Sequence, residues 1–436
     1  MKSAEYARRR KHLMRAMERG SIAVIPAASE KLRNRDVYYP YRQDSDFLYL
    51  SGFNEPEAVI VLVPEREQGE FILFCRERDP KRALWDGDHA GQEGAIKDYG
   101  ADDSFPISDM DDILPGLLEN REKVFCTMGR YPEFDHRMMD WVNSIKQNSR
   151  TGAKAPAEFV SLEFLLHEMR LFKSTDEQRA MRKASQVSAA AHVRAMRHCR
   201  PGRTEYEIEA ALLYEFKSHQ MEPAYPSIVG GGANACVLHY RRNSDVLKDG
   251  DLLLIDAGAE YDGYAADISR TFPVSGRFTP LQREIYEIVL RAQLAAIKEA
   301  ISGNHWNDPH DAAVKELTAG LIELGVLKGS RSKLIKEGAY KPYYMHRTGH
   351  WLGMDVHDVG DYKVDNEWRL LEPGMTLTVE PGLYFAASKH LPRELHNIGI
   401  RIEDDVLVTR DGNSVLTEDA PKTVAEIETV MSSAHG

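Results

Sequence analysis

The stretch from Leu252 to Phe272 constrains the fold more than any other. It reads Leu-Leu-Leu-Ile-Asp-Ala-Gly-Ala-Glu-Tyr-Asp-Gly-Tyr-Ala-Ala-Asp-Ile-Ser-Arg-Thr-Phe. That order spells an apolar strand, a turn carrying Asp-Gly, and a returning strand. Folding the hairpin about Tyr261 and Asp262 sets Asp256 opposite Asp267. Directly opposed residues lie about 4.5–5.5 Å apart, where like charges destabilise the pair. Either one carboxylate holds a proton or a cation lies between them. On this stretch alone a plain surface hairpin accounts for the pattern, with a metal site as the alternative.

The chain has 436 residues, enough for two domains or three, and its hydrophobic share of 42% is that of a globular protein. A formal net charge of -12 argues against a general nucleic-acid binder. Cys75, Cys126, Cys199 and Cys236 are widely spaced and form no Cys-x-x-Cys pair, which suits reduced thiols in a cytoplasmic protein. No apolar run approaches the roughly 20 residues that span a bilayer, so no membrane partner is expected. The basic start, with Arg8-Arg9-Arg10-Lys11, lacks the apolar core of a signal peptide and reads as an amphipathic first helix.

Ser21–Pro26 reads as a buried strand, and 58–64 and 70–75 as a hairpin. Another strand covers 123–126 and a helix 134–145, so the first part of the chain is α/β. The polar run from Gln147 to Ala157 is the expected boundary, giving domains 1–157 and 158–436. Beyond it, Ser174 with Glu177 and Thr204 with Glu207 are capping boxes, and Thr279-Pro280 with Gln282 opens a third helix. Short strands at 375–380 and 398–403 join the hairpin, so the second domain is α+β.

Alternation in those two strands puts Thr376, Thr378 and Glu380 on one face, and Arg401 and Glu403 on another. A solvated outer face explains each pattern by itself. Nearby, His346, His350 and His357 share one Gly-containing loop, which shifts the balance toward a site. One His with four carboxylates is a hard, oxygen-rich set suited to Mn, Fe, Co or Zn, and not to a closed structural zinc.

The ordered set Asp256, Asp267, His350, Glu380 and Glu403 resembles the dinuclear site of the pita-bread (creatinase/aminopeptidase-like) metallopeptidases. The chain is most similar to aminopeptidase P, the Xaa-Pro aminopeptidase. The similar stretches are Arg42–Phe47, Val237–Tyr240, His350–Gly353, Asp355–Gly360, Val379–Tyr384 and Gly399–Asp404, so the resemblance spans almost the whole chain. It departs at Met345-His346-Arg347, where bacterial members carry Pro before the histidine and Gly after it.

The resemblance implies an α/β N-terminal domain of the aminopeptidase P type and an α+β pita-bread catalytic domain. It implies two divalent ions, Mn²⁺ first, with Co²⁺, Zn²⁺ and Fe²⁺ as alternatives. Asp267 and Glu403 would bridge them, Asp256 would hold one, and His350 and Glu380 the other. A bridging hydroxide would attack the carbonyl before proline, with the substrate's amino end on the Asp256 side and Glu380 as proton shuttle. His239, His346 and His357 would line the pocket, with His239 and His357 acting on the carbonyl oxygen. Arg401 would orient Glu403 or touch substrate. Trp85 and Tyr384 are candidate pocket walls, with ordinary packing as the alternative. The implied partners are peptides with proline second and further copies of the chain, as a homodimer or homotetramer. A prolidase confined to Xaa-Pro dipeptides is the alternative activity, and a non-catalytic binding protein a further one. Gly230-Gly231-Gly232 lacks the pattern of a dinucleotide loop, and His305 and His310 match no ligand of the family.

Overall fold

The computed structural model of the chain describes residues 1–433. Two compact units are formed, one ending at Met169 and the other beginning at Arg170. The polar run at 147–157 lies earlier than this division. Strand Glu158–Ser161 follows that run yet pairs in parallel with Lys123–Cys126 at the edge of the first unit's sheet. A surface connection inside a unit has the same polar composition as one between units.

In the first unit six strands lie in the spatial order Asp103–Pro106, Phe71–Cys75, Val59–Leu62, Ser21–Pro26, Lys123–Cys126, Glu158–Ser161. Ser21–Pro26 is central and buried along its whole length, as its unbroken apolar character requires. Its side chains Ile22 and Val24 pack with Val61, Phe74, Leu114 and Trp141 in one core. Asp44, in the Arg42–Phe47 stretch, caps helix Ser45–Ser51 by accepting from the amides of Asp46 and Phe47.

The second unit is built on long helices whose starts follow the capping boxes read from sequence. Thr175–His198, Glu205–Ser218 and Pro280–Glu299 each begin with reciprocal side-chain and backbone bonds at the cap. Against them pack strands Ile228–Gly231, Leu252–Asp256 and Ser269–Pro273, paired antiparallel in that order. Leu253 and Ile255 point into the main core, while Leu254 packs with Ile228, Ala235 and Tyr384 on the opposite side. Burial on both faces explains why this strand is a continuous apolar run instead of an alternating one. Each such side chain contributes roughly 1.5–3 kcal/mol.

The hairpin register differs from the sequence expectation by two residues. Tyr261 pairs with Tyr264, which makes Asp262-Gly263 the turn, and Asp256 pairs with Ser269 instead of Asp267. Asp262 at φ 51° and Gly263 at φ 80° supply the two positive-φ positions of a tight hairpin turn. The Asp-Gly pair therefore occupies both central positions, one residue later than the centre assumed from sequence. Asp256 and Asp267 are diagonal neighbours on one face. Between them the strands come so close at Gly258 that a Cβ there would lie 1.7 Å from the Ala266 carbonyl oxygen.

A second correction concerns the polar strand faces, for which solvation was a sufficient explanation. Thr376, Thr378, Arg401 and Glu403 are all buried. Leu377 and Val379 fill one core and Ile400 and Ile402 another, so each strand is enclosed on both sides. The polar faces look inward.

Candidate metal centre

The hairpin delivers Asp256 from the end of one strand and Asp267 from just before the next. Glu403 follows strand Ile398–Arg401, and its amide donates to the Ser269 carbonyl, which draws it beside the hairpin. Glu380 ends strand Thr376–Val379, and its amide donates to the Thr348 carbonyl. That bond and the Thr378 amide on the His350 carbonyl lay the histidine loop along the same strand. Gly349 permits the approach, because a Cβ there would fall 2.0 Å from the Thr378 carbonyl oxygen.

Ligand atoms of Asp267, His350 and Glu403 lie within 4.8 Å of one another. His350 Nε2 stands 3.4 Å from Asp267 Oδ2 and 3.7 Å from Glu380 Oε1. His350 Nδ1 is 2.9 Å from the Trp351 carbonyl oxygen, so that nitrogen carries the proton and Nε2 presents its lone pair to the carboxylates. Asp256 joins the group through Tyr225, whose hydroxyl is in hydrogen-bond contact with Oδ1 of both Asp256, at 2.7 Å, and Asp267. The structure thus brings together all five residues singled out from sequence.

The electrostatics of this cluster favour a cation. Desolvation pushes Asp267 well above the usual carboxylate range, and the charges of Asp256 and Asp405 push it further. Glu403 is raised well above its ordinary value by burial and then by Asp267, Glu380 and Asp256. Glu380 is raised by burial, against the pull of His350 and Arg401. Asp256 alone goes down: desolvation opposes its charge, but the Arg401 guanidinium and bonds from Tyr225 and Arg401 prevail. One tyrosine hydroxyl has a single proton for two carboxylates, so without added positive charge one carboxyl must itself be protonated. Oxygen-rich donors around one outward-presented imidazole nitrogen fit a divalent ion of the Mn, Fe, Co or Zn type.

The remaining expected residues separate. Arg401 does not reach toward Glu403 but grips Asp256, with Nη2 2.7 Å from Oδ2, while Nε donates to Ser269 Oγ at 2.8 Å and Nη1 to the Tyr384 hydroxyl at 3.0 Å. Its link to Glu403 is indirect, since Ser269 Oγ donates to Glu403 Oε2 at 2.7 Å. Tyr384 is buried and connects Arg401 to His346 Nε2, 2.9 Å away. His346 Nδ1 is 2.7 Å from the Arg347 carbonyl, so both its nitrogens are engaged within the protein. His357 is exposed and stands edge-on to His350, with ring centroids 4.4 Å apart. His239 is exposed too, and its charge helps to lower the pKa of both His346 and His357, behind desolvation in each case. Trp85 belongs to the first unit, where it is 88% exposed and packs against nothing that would bury it.

Sequence reasoning missed Tyr225, Ser269 and Thr378, whose hydroxyls hold the carboxylates, and underrated His310. His310 Nδ1 lies 2.9 Å from Thr348 Oγ1, two residues before His350, and desolvation followed by the charge of Arg347 takes its pKa to about 4. Alternation set Thr378 on the face of Glu380 without showing that this face turns inward, Ser269 meets Glu403 only across strands, and Tyr225 lies outside any strand and so carries no periodic signal.

The sequence matches the model of metallopeptidase family M24 over residues 179–410, and the aminopeptidase P N-terminal domain over residues 6–125. It is 44% identical to the Xaa-Pro aminopeptidase of Escherichia coli (strain K12) over 433 residues, 99% of this chain and 98% of that one. The Pseudomonas aeruginosa aminopeptidase PepP structure superposes with a TM-score of 0.99 at 58% identity, covering 100% of this chain and 99% of that one. The aminopeptidase P of E. coli with the inhibitor Pro-Leu gives a TM-score of 0.97 at 44% identity, with coverage of 100% and 99%.

Proposed function

The chain belongs to metallopeptidase family M24, and from that membership we propose that it releases the N-terminal residue from peptides with proline in second position. The observation that carries the reading is the cluster of Asp267, His350 and Glu403, with Asp256 and Glu380 beside it, in a chain of this family. Asp256, Asp267, His350, Glu380 and Glu403 are the residues that would hold two divalent ions, with manganese the first choice. When bound, such a pair activates water at neutral pH and offsets the charge of the tetrahedral species.

The protein's own groups do the rest. Glu380, raised by burial, is suited to take a proton from the attacking water and pass it to the proline nitrogen as that bond breaks. That nitrogen has no N–H in the substrate, so a general peptidase cleft has nothing to grip there. His357, with its pKa lowered by burial and by its histidine neighbours, is neutral at pH 7; with His239 it supplies N–H donors for the carbonyl oxygen. Arg401 holds Asp256 ionised, as a metal ligand must be, and Tyr384 and His346 brace Arg401 from behind.

The reading extends to a cytoplasmic enzyme working as a homo-oligomer. Four free thiols suit a reducing compartment, and no helix among the described residues is long and apolar enough to cross a membrane. The relatives reported above bear the aminopeptidase name, and nothing in them favours a prolidase. The test is hydrolysis of Xaa-Pro-Xaa tripeptides against Xaa-Pro dipeptides, with and without added Mn²⁺. Cleavage of the tripeptide that depends on the ion is expected. Activity confined to the dipeptide, or none with any divalent ion, would sink the proposal.

A further inference from the structure

Apart from the acidic cluster, the second unit holds a fully buried carboxylate that the reaction does not use. Glu205 opens helix Glu205–Ser218 and is 0% exposed. Its hydrogen-bond partners are all uncharged. Oε1 accepts from the Gly231 amide at 2.8 Å and from Asn234 Nδ2 at 2.9 Å. Oε2 accepts from the Tyr240 hydroxyl at 2.8 Å and the Asp245 amide at 2.9 Å. Burying a carboxylate is costly unless its oxygens are saturated, and here four donors and the positive end of a helix do that.

All four donors come from one segment, 231–245, and that segment carries His239. After the short turn Gly232–Cys236 it has no regular structure as far as Asp245. The Val237 amide bonds the Asn234 carbonyl at 3.0 Å, and the Tyr240 amide bonds the Val237 carbonyl at 3.3 Å. His239 therefore rides on a pair of turns whose outer ends, Asn234 and Tyr240, are both tied to the same carboxylate. Asn243 adds an anchor at the rear, accepting from the Val229 amide at 3.0 Å and donating to the Ser227 carbonyl at 2.9 Å.

We infer that Glu205 is a positioning residue for the reaction: its carboxylate pins the Gly231–Asp245 segment and thereby fixes where His239 meets the substrate carbonyl. This rests on the role given to His239 above. Four acceptor bonds need a carboxylate, because the amide of Glu205→Gln has one acceptor oxygen and one donor nitrogen. In either orientation of that amide, the buried N–H of Gly231 or of Asp245 faces another donor.

The test uses the full chain loaded with Mn²⁺ and a Xaa-Pro-Xaa tripeptide, comparing Glu205→Gln, His239→Ala and the double variant. An unpaired buried donor pushes the segment away from Glu205, and the resulting misplacement of His239 is read as a loss of about tenfold or more in kcat/KM. That loss is expected in Glu205→Gln, with the double variant within about twofold of His239→Ala because the two act as one unit. Amide exchange across 231–245 is expected to accelerate in Glu205→Gln while Leu252–Asp256 keeps its protection. An undiminished Glu205→Gln penalty in the His239→Ala background, or unchanged exchange across 231–245, overturns the inference. Full turnover in His239→Ala would overturn the role of His239 and the inference with it, and the exchange data would then show whether the pinning itself stands. Should Glu205→Gln not fold, Tyr240→Phe decides: it deletes one of the four bonds, and its smaller loss must likewise vanish without His239.

Discussion

Replacing Asp404 by Asn removes the charge at the centre of a buried network behind the candidate metal centre. Asp404 and Arg270 are both 0% exposed, with Arg270 Nη2 2.7 Å from Asp404 Oδ1. Oδ1 also accepts from Thr417 Oγ1 at 2.8 Å, and Oδ2 from Gln293 Nε2 at 2.7 Å and Lys422 Nζ at 2.6 Å. Lys422 is 19% exposed and can turn to water, but Arg270 cannot. Breaking a buried pair from one side costs about 3–5 kcal/mol, since the other charge stays behind. At about 2–4 °C per kcal/mol for a domain of this size, Tm falls by about 6–20 °C. Thermal melts should show this at pH 7, and denaturant melts should show a lower midpoint at unchanged slope. The pH leg has a definite sign. Burial opposes the charge of Asp404, but Arg270 and Lys422 hold its carboxyl below the usual range. Its contribution is complete above the unfolded value of about 3.9 and is lost as pH falls through the lower folded value. The gap between the two proteins must therefore be flat from pH 7 to about 5 and narrow only below about 4. A gap under about 1 kcal/mol at pH 7, or one that shrinks already near pH 6, would refute the reasoning.

Gly258→Ala drives a methyl group into the Ala266 carbonyl, backbone against backbone; overpacking of about 1–3 kcal/mol or more should lower Tm, and a protein that melts like the parent would contradict the close approach. Tyr225→Phe removes the hydroxyl between Asp256 and Asp267. It should destabilise the metal-free protein by about 1–3 kcal/mol and the Mn²⁺-loaded protein by less, which paired melts with and without chelator can read. Divalent ion at 100 times its Kd should add about 2.7 kcal/mol of stability. Because Asp267 and Glu403 are raised, ion binding must expel protons and weaken as pH falls; calorimetry in two buffers of different ionisation enthalpy that finds no proton release would count against the site.

The helix starts were legible because a capping box is local: Ser174, Thr204 and Thr279 each meet their partner three residues on. The acids and His350 were legible through the family pattern and through alternation in short strands. What alternation could not supply was whether a polar face looks out or in. Arg401 and Glu403 were compatible with water until Ser269 and Asp256 were seen across from them. The hairpin register slipped because both Tyr261-Asp262 and Asp262-Gly263 are plausible turn centres on composition, and only the positive φ at both Asp262 and Gly263 separates them. The unit boundary was not legible for a similar reason, since Glu158–Ser161 acquires its place from Lys123–Cys126, far upstream.

Arg270 spends all its donors in one place: on the carbonyls of Ser269, Glu403, Ala420 and Pro421 and on Asp404 Oδ1. Two of those carbonyls, and the hydroxyl of Thr417 that steadies Asp404, belong to the stretch just before helix Val424–Ser432. During synthesis every candidate ligand leaves the ribosome before that stretch does. A chain stopped short of it carries all five residues but lacks the back wall that braces Glu403. The candidate ligands thus all lie between residues 256 and 403, while the support of Glu403 is borrowed from residues that follow every one of them.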